Sequence, residues 1–197
     1  VFGGPNFPTD PQEKLEFLKK RTAIDFYIEL EGELAFVDLT KNLMENNFNS
    51  LEFKKKGKTI INTRYVHDNH LIGGPVERIK DINILPSPYL SGLLDEYFNF
   101  PLIPMLETTR GCPFSCAFCC DAHAARDRVY RYDSQRTEEE LYYIAKKVKN
   151  EDNLVITDLN FAMYKQDIET AKVIAKIQEI YKYPKLIEAS AGKNMPK

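Results

Sequence analysis

The sequence predicts an α/β protein on the strength of three observations. Short apolar strands alternate with amphipathic helices, which is the pattern of βαβ units and a parallel sheet. Apolar residues make up 43% and charged residues 28% of the chain, as in globular proteins and unlike disordered ones. The 197 residues correspond to one or two domains, at roughly 150 residues each.

Charge and hydropathy exclude several classes of partner. The 27 basic and 29 acidic residues leave a net charge of −2, which gives no electrostatic reason to expect a nucleic-acid partner. No stretch approaches the roughly 18 apolar residues of a membrane span, and no signal-peptide pattern opens the chain. We therefore expect a cytoplasmic protein with neither a nucleic-acid nor a membrane partner. Because Val1 runs directly into a Gly-Gly-Pro turn, we also expect this chain to be an internal piece of a longer one.

The first 62 residues predict an α/β unit. Asp10 precedes Pro11 at the start of an amphipathic segment, which indicates an N-cap followed by proline at the first helical position. The expected elements are a strand remnant at Val1-Phe2, a helix from Pro11 to about Arg21, a strand from Ala23 to Glu29, a helix from Glu31-Gly32-Glu33 to about Glu45, and a hairpin from Leu51 to Asn62.

Residues 63–100 predict a linker. Gly73-Gly74-Pro75 and Pro86-Ser87-Pro88 interrupt this segment, and only one short helix is expected, near Leu90 to Tyr97. Since an irregular loop of this length is improbable within one domain, we place a domain boundary here.

From residue 101 the chain repeats a βα rhythm. Thr137 and Glu140 have the spacing of a helix N-cap and its capping box, and the Leu-Val-Ile-Thr run at 154–157 is typical of a buried parallel strand. The expected elements are strands Pro104–Thr109, Asn153–Asp158 and Leu186–Ser190, and helices Thr137–Lys149 and Gln166–Tyr181.

All four cysteines lie between positions 112 and 120, directly after a predicted strand. Thiols so close together cannot link distant segments, so they indicate a metal or cluster site in a reducing compartment. Cys112, Cys116 and Cys119 have the spacing C-x3-C-x2-C, which can hold three irons of a cubane cluster and leave the fourth iron open. A zinc site or buried structural thiols are the alternatives. Cys120 is expected to be a passive thiol, and His123 a polar loop residue rather than a ligand.

The stretch Arg110-Gly111-Cys112-Pro113 and the two cysteines after it resemble the loop of the radical S-adenosylmethionine (SAM) enzymes. The resemblance implies that Cys112, Cys116 and Cys119 hold a [4Fe–4S] cluster whose open iron binds SAM. It further implies reductive cleavage of SAM to a 5′-deoxyadenosyl radical that attacks a small-molecule substrate. An electron donor such as a flavodoxin or ferredoxin is implied as a partner.

The same resemblance suggests further residues for the SAM site. Phe118 takes the aromatic position whose backbone meets the adenine, and Asp158 and Asn160 lie where groups near the methionine amino end are found. Alternatively, Asp158 and Asn160 only cap the next helix. Three arginines are candidates for the carboxylate of SAM or a substrate anion, or else form an exposed basic stretch: Arg126, Arg128 and Arg131.

The N-terminal residues resemble the end of a cobalamin-binding domain, as in the subgroup of radical SAM enzymes that carries one. The pieces that carry this resemblance are Gly3-Gly4-Pro5, Ile24-Asp25-Phe26, Glu31-Gly32-Glu33 and Ile84–Tyr89. Gly3 and Gly4 would lie near the nucleotide tail of cobalamin, because a turn without Cβ atoms allows close approach. The implied fold is the C-terminal remnant of a doubly wound cobalamin-binding domain at 1–62, a linker at 63–100, and the first half of a partial (β/α)6 radical SAM barrel at 101–197.

The function implied for the intact protein is cobalamin-dependent methyl transfer, with a carbon-skeleton rearrangement or ring closure as the nearest alternative. Because later barrel strands would complete the SAM and substrate sites, we expect this chain alone to hold a cluster without turnover. The alternative from another class is a non-catalytic iron–sulfur or zinc-binding structural module.

Overall fold

Strands and helices alternate along the chain, which a computed structural model describes at residues 1–119 and 127–192. This alternation confirms the predicted α/β class. The chain divides into two units, one of residues 1–79 and one beginning at Lys80. The assignment of these units to a cobalamin-binding domain and a half-barrel stays a prediction.

The first unit contains four strands and three helices. They are β1 (Phe2–Gly3), α1 (Pro11–Lys19), β2 (Tyr27–Ile28), α2 (Glu33–Met44), α3 (Ser50–Lys55), β3 (Thr63–His67) and β4 (His70–Gly73). The strands form one mixed sheet in the order β1-β2-β3-β4. Strand β1 pairs in parallel with β2, whereas β2 with β3 and β3 with β4 are antiparallel.

An aromatic cluster fills the core of the first unit. The rings of Phe26, Phe53 and Tyr65 meet edge to face with centroids 5.4 to 5.7 Å apart, a favoured geometry for aromatic pairs. Leu39 of α2 is fully buried in the same core. Phe26 and Tyr65 lie at the sheet and Phe53 lies on α3, so this core holds α2 and α3 against the sheet.

The hairpin expected from Leu51 to Asn62 is wrong. Ser50–Lys55 is the helix α3, and the side chain of Asn49 caps it by accepting hydrogen bonds from the two backbone N–H groups of Leu51 and Glu52, both at 3.1 Å. Gly57, at φ +61°, follows the helix in the left-handed conformation common after a helix C-terminus and does not turn a hairpin. The hairpin of this unit is β3–β4, within residues that the sequence had assigned to the linker.

The second unit contains two 3₁₀ helices, five strands and two α-helices. They are 3₁₀ helices at Ile82–Ile84 and Asp95–Asn99, then β5 (Met105–Leu106), β6 (Thr109–Arg110), β7 (Tyr130–Arg131), α4 (Ser134–Lys147), β8 (Asn153–Phe161), α5 (Lys165–Tyr181) and β9 (Leu186–Ala191). Strands β5, β8 and β9 form a parallel sheet in the order β5-β8-β9, as predicted for the βα repeat. A separate antiparallel pair, β6–β7, flanks the cysteine loop, which is the segment 111–129.

Three details of the second unit differ from the prediction. Helix α4 begins after Asp133, and Thr137 and Glu140 are buried within it, so they form no capping box. Glu140 instead pairs with Arg136 one turn earlier, at 3.1 Å. The strand expected at Pro104–Thr109 is divided between β5 and β6. The apolar spacing along α5 predicts an inward face made by Ile168, Ala171, Ile174 and Ile177, but only Ile174 and Ile177 are buried, and Ile168 and Ala171 are exposed.

No helix within residues 1–119 and 127–192 has the length and apolar character needed to cross a bilayer.

Candidate functional site

The cysteine loop begins directly after β6, within the second unit. Thr109 and Arg110 of β6 pair with Arg131 and Tyr130 of β7, so the two ends of the loop are hydrogen-bonded to each other. Gly111 has φ +117°, in the region that favours glycine, and it turns the chain from the strand to Cys112. This backbone conformation therefore explains why a glycine lies between Arg110 and Cys112.

The three predicted ligands are free thiols. Cys112 and Cys116 are half-buried and Cys119 is exposed. The backbone N–H of Cys119 donates to the carbonyl of Cys116 at 3.0 Å, which places these two residues in one turn. Soft thiolates near a strand end, accessible from solvent, are a donor set that suits an iron–sulfur cluster.

Among the described residues, no group of three or more His, Cys, Asp or Glu side chains is close enough to hold one metal ion. In a cubane cluster each cysteine binds a different iron, whereas the ligands of a zinc site all bind the same ion. Cys112, Cys116 and Cys119 are the candidate ligands in either case.

Asp158 is buried and hydrogen-bonded to Thr108 and Thr109, the two residues that precede Arg110. We call these three residues the clasp. Asp158 lies on β8 and is only 2% exposed. Its Oδ1 accepts hydrogen bonds from the backbone N–H groups of Thr108 and Thr109, at 2.7 and 3.0 Å. Its Oδ2 accepts from both threonine hydroxyls, that of Thr109 at 2.9 Å. Both carboxylate oxygens are thus occupied by residues immediately before Arg110.

Burial also shifts the protonation equilibrium of Asp158. Desolvation raises the pKa of Asp158 above its ordinary value, and the hydrogen bonds from Thr108 and Thr109, which favour the carboxylate, offset only part of that rise. The sequence had not singled out Thr108 and Thr109. Two adjacent hydroxyl residues just before the Arg-Gly-Cys segment are the signal that was available.

Asn160 reaches the first cysteine of the loop. Its amide Nδ2 lies 3.1 Å from the Sγ of Cys112, and the residue is 6% exposed. Asp158 and Asn160 are two positions apart on β8, so both side chains lie on the same face of the strand. The structure therefore brings both predicted residues to the cysteine loop. The next helix is capped instead by Tyr164 and Asp167.

Arg131, one of the three candidate arginines, lies on β7 and is held by two residues that the sequence did not single out, Tyr164 and Asp167. Arg131 stacks on the ring of Tyr164 at 3.9 Å and donates to the carboxylate of buried Asp167 at 3.3 Å. Its Nη2 is buried and has no hydrogen-bond partner among the described residues. Burial raises the pKa of Tyr164 above its ordinary value, and the positive charge of Arg131 offsets part of that rise.

The remaining predicted residues lie in both units. Phe118 lies in the loop and is 84% exposed. Gly3 and Gly4 lie at the end of β1 in the first unit; Gly4, at φ +116°, would have no atom within 4 Å of an added Cβ. Arg128 is exposed. Three residues considered for the site lie outside the described residues: Cys120, His123 and Arg126.

Curated proteins similar to this chain are methyltransferases. The chain is 29% identical over 201 aligned positions to the 2-(S-pantetheinyl)-carbapenam-3-carboxylate methyltransferase of Streptantibioticus cattleyicolor. It is 25% identical over 204 positions to the cobalamin-dependent radical SAM methyltransferase TokK of Streptomyces tokunonensis. Each alignment covers 98% of this chain, which spans 28% of the length of each relative. No protein-family profile matches the chain.

Solved structures share its fold. The cobalamin-dependent SAM radical enzyme OxsB, with aqua-cobalamin and SAM bound, matches with a TM-score of 0.56 at 21% identity, over 88% of this chain and 23% of OxsB. The radical SAM methyltransferase TsrM from Kitasatospora setae, with cobalamin and a [4Fe–4S] cluster bound, matches with a TM-score of 0.56 at 15% identity, over 91% of this chain and 34% of TsrM.

Proposed function

Because the chain is a relative of cobalamin-dependent radical SAM methyltransferases over most of its length, we propose that it takes part in SAM-dependent methyl transfer through a cluster on its cysteine loop. The relationship confirms the resemblance found in the sequence. The observation that carries the proposal is the C-x3-C-x2-C loop, which follows the first strand of a parallel sheet and is joined at its ends by β6 and β7. Polar groups at this end of such strands are where sites form in βα barrels.

Cys112, Cys116 and Cys119 are the proposed ligands of a [4Fe–4S] cluster. When bound, the cluster would supply the electron for reductive cleavage of SAM. The chain's own contribution is to hold the loop: Gly111 turns it, Asp158 anchors the residues before it, and Asn160 contacts its first thiol.

Arg131 is the residue proposed to meet an anionic group, either the carboxylate of SAM or a substrate anion. Stacking on Tyr164 and the ion pair with Asp167 hold its guanidinium in place, and its buried Nη2 offers a further N–H donor. Arginine is suited to this role because its planar donors match a carboxylate. Phe118 is proposed to lie beside the adenine of SAM.

Cobalamin is a proposed cofactor of the whole protein, with Gly3 and Gly4 near its nucleotide tail. The open space around Gly4 supports a close approach at that turn. A small-molecule substrate and an electron donor of the flavodoxin or ferredoxin kind complete the proposal. A radical rearrangement or ring closure in place of methyl transfer would use the same cluster.

Anaerobic reconstitution with iron and sulfide tests the proposed cluster. We expect iron and inorganic sulfide to be retained in equal amounts, with an electron paramagnetic resonance (EPR) signal of a reduced [4Fe–4S] cluster that changes when SAM is added. Bound zinc without sulfide would instead identify a structural zinc module. A cluster whose signal is indifferent to SAM would mean that later barrel strands are needed for SAM binding, or that the cluster is structural.

The ligand assignment is tested by Cys116→Ala. Removal of one thiolate should abolish stable cluster binding, measured as iron and sulfide per chain after desalting. Ser115→Ala, a change at the neighbouring loop position, is the control and should retain the wild-type iron content. Full iron content in Cys116→Ala would show that Cys116 is not a ligand.

A further inference from the structure

We propose that Asn160 is a positioning residue that donates a hydrogen bond to the Cys112 thiolate and thereby raises the reduction potential of the cluster. The inference rests on the proposed function, because it requires a cluster on the cysteine loop. It differs from the role that the sequence suggested for Asn160, which was contact with the methionine end of SAM.

The contact is direct, and its donor is buried. The Nδ2 of Asn160 lies 3.1 Å from the Sγ of Cys112, and Asn160 is 6% exposed, whereas Cys112 is half-buried. Of the two ends of the amide, only the N–H₂ end can donate to a thiolate, which accepts hydrogen bonds and donates none. A hydrogen bond from a buried donor acts more strongly than one made in water.

The backbone around Asn160 fixes the donor. Asn160 lies in the last part of β8, and the next residue, Phe161, pairs with Ala191 of β9 and accepts a hydrogen bond from the N–H of Gly192 at 2.7 Å. Two positions earlier, Asp158 holds Thr108 and Thr109. Strand β8 therefore contacts this part of the chain at two points, through Asp158 before Cys112 and through Asn160 at Cys112. These two contacts hold the amide of Asn160 against the sulfur of Cys112.

The direction of the effect follows from charge. Reduction adds one electron to the cluster from an external low-potential reductant, with no bond formed or broken and no proton moved. The added charge is shared with the thiolate ligands, so a donor to a ligand sulfur stabilises the reduced form more than the oxidised form. Hydrogen bonds to the sulfurs are among the groups that set the potential of iron–sulfur clusters.

The test is an EPR-monitored potentiometric titration of the reconstituted chain and two variants. Asn160→Leu removes the donor at similar size, and we expect a more negative midpoint potential. Asn160→Asp is nearly isosteric but places a carboxylate against the sulfur, so we expect a larger negative shift. The matched control is Asn153→Leu, the same substitution at the far end of β8, which should keep the wild-type potential.

The outcomes separate this inference from the proposed function. Absence of a [4Fe–4S] cluster from the wild-type chain would overturn the proposed function. A cluster in all proteins with one common potential would overturn the role of Asn160 and leave the proposed function standing. Loss of the cluster from both Asn160 variants, with unchanged circular dichroism, would also overturn potential tuning, because it would make Asn160 a requirement for cluster assembly instead.

Discussion

At the scale of single residues, Asp158 shows how one buried carboxylate can organise a loop. Its two oxygens satisfy two backbone N–H groups and two hydroxyls, on Thr108 and Thr109. We expect Asp158→Leu to lower the free energy of unfolding by about 3 kcal/mol, because each buried donor left without a partner costs roughly 1–3 kcal/mol. Urea denaturation of the metal-free chain, followed by circular dichroism, measures the change.

Asp158→Asn separates hydrogen bonding from charge. The amide oxygen can keep both backbone N–H donors while its N–H₂ group donates to the hydroxyls, which also accept, so we expect a loss within about 1 kcal/mol. Asp152→Leu, which removes an exposed carboxylate paired with Lys185, should change the stability by less than about 1 kcal/mol. Equal losses in the leucine and asparagine variants of Asp158 would contradict the clasp.

At the scale of elements, local chemistry decided what the sequence could predict. Helix α1 begins where Asp10 and Pro11 predict it, because the cap and the proline act within one turn. The start of helix α4 was predicted three residues too late, because Thr137 and Glu140 have the spacing of a capping box. In the structure both residues are buried inside the helix, and Glu140 forms an ion pair with Arg136. The β6–β7 pair was not predicted, since two-residue strands on either side of a long loop carry no periodic pattern.

The turn at the end of β6 is the element on which the cysteine loop depends. We expect Gly111→Ala to lower the iron retained after reconstitution, because φ +117° is a strained conformation for a residue with a Cβ. Gly57→Ala is the control: φ +61° strains the backbone after α3 by about 1–2 kcal/mol, away from the cysteines. Iron content that falls equally in both variants would indicate general destabilisation.

At the scale of the whole molecule, the chain has two units with separate hydrophobic cores. The cysteine motif and its resemblance were readable from sequence because the ligands are contiguous. The clasp and the Arg131–Tyr164–Asp167 cluster were not, because their members are distant in sequence and meet only once β8 and α5 are packed. Strands β3 and β4 were not predicted for the same reason, because β3 joins the first sheet by pairing with β2, which is distant in sequence.

Because each unit has its own hydrophobic core, we expect a substitution in the first core to leave iron binding in the second unit unchanged. Phe53→Leu removes an aromatic side chain from the first core, and a change of this kind in a packed core typically destabilises by about 1–3 kcal/mol. We expect the iron content after reconstitution to stay at the wild-type level, because all three proposed ligands lie in the second unit. Ile144→Ala, in the second core, should lower both stability and iron content. An equal loss of iron from Phe53→Leu would contradict this independence.

The pairing of β6 with β7 has a consequence for metal uptake. Bringing the two ends of a chain segment together carries an entropic penalty that grows with the length of the segment. Here the polypeptide's own ladder joins Arg110 to Tyr130 and thereby closes the segment that contains every cysteine. Metal ions arriving at this segment do not have to gather it from an open coil, so more of their binding free energy goes into affinity than into ordering the chain.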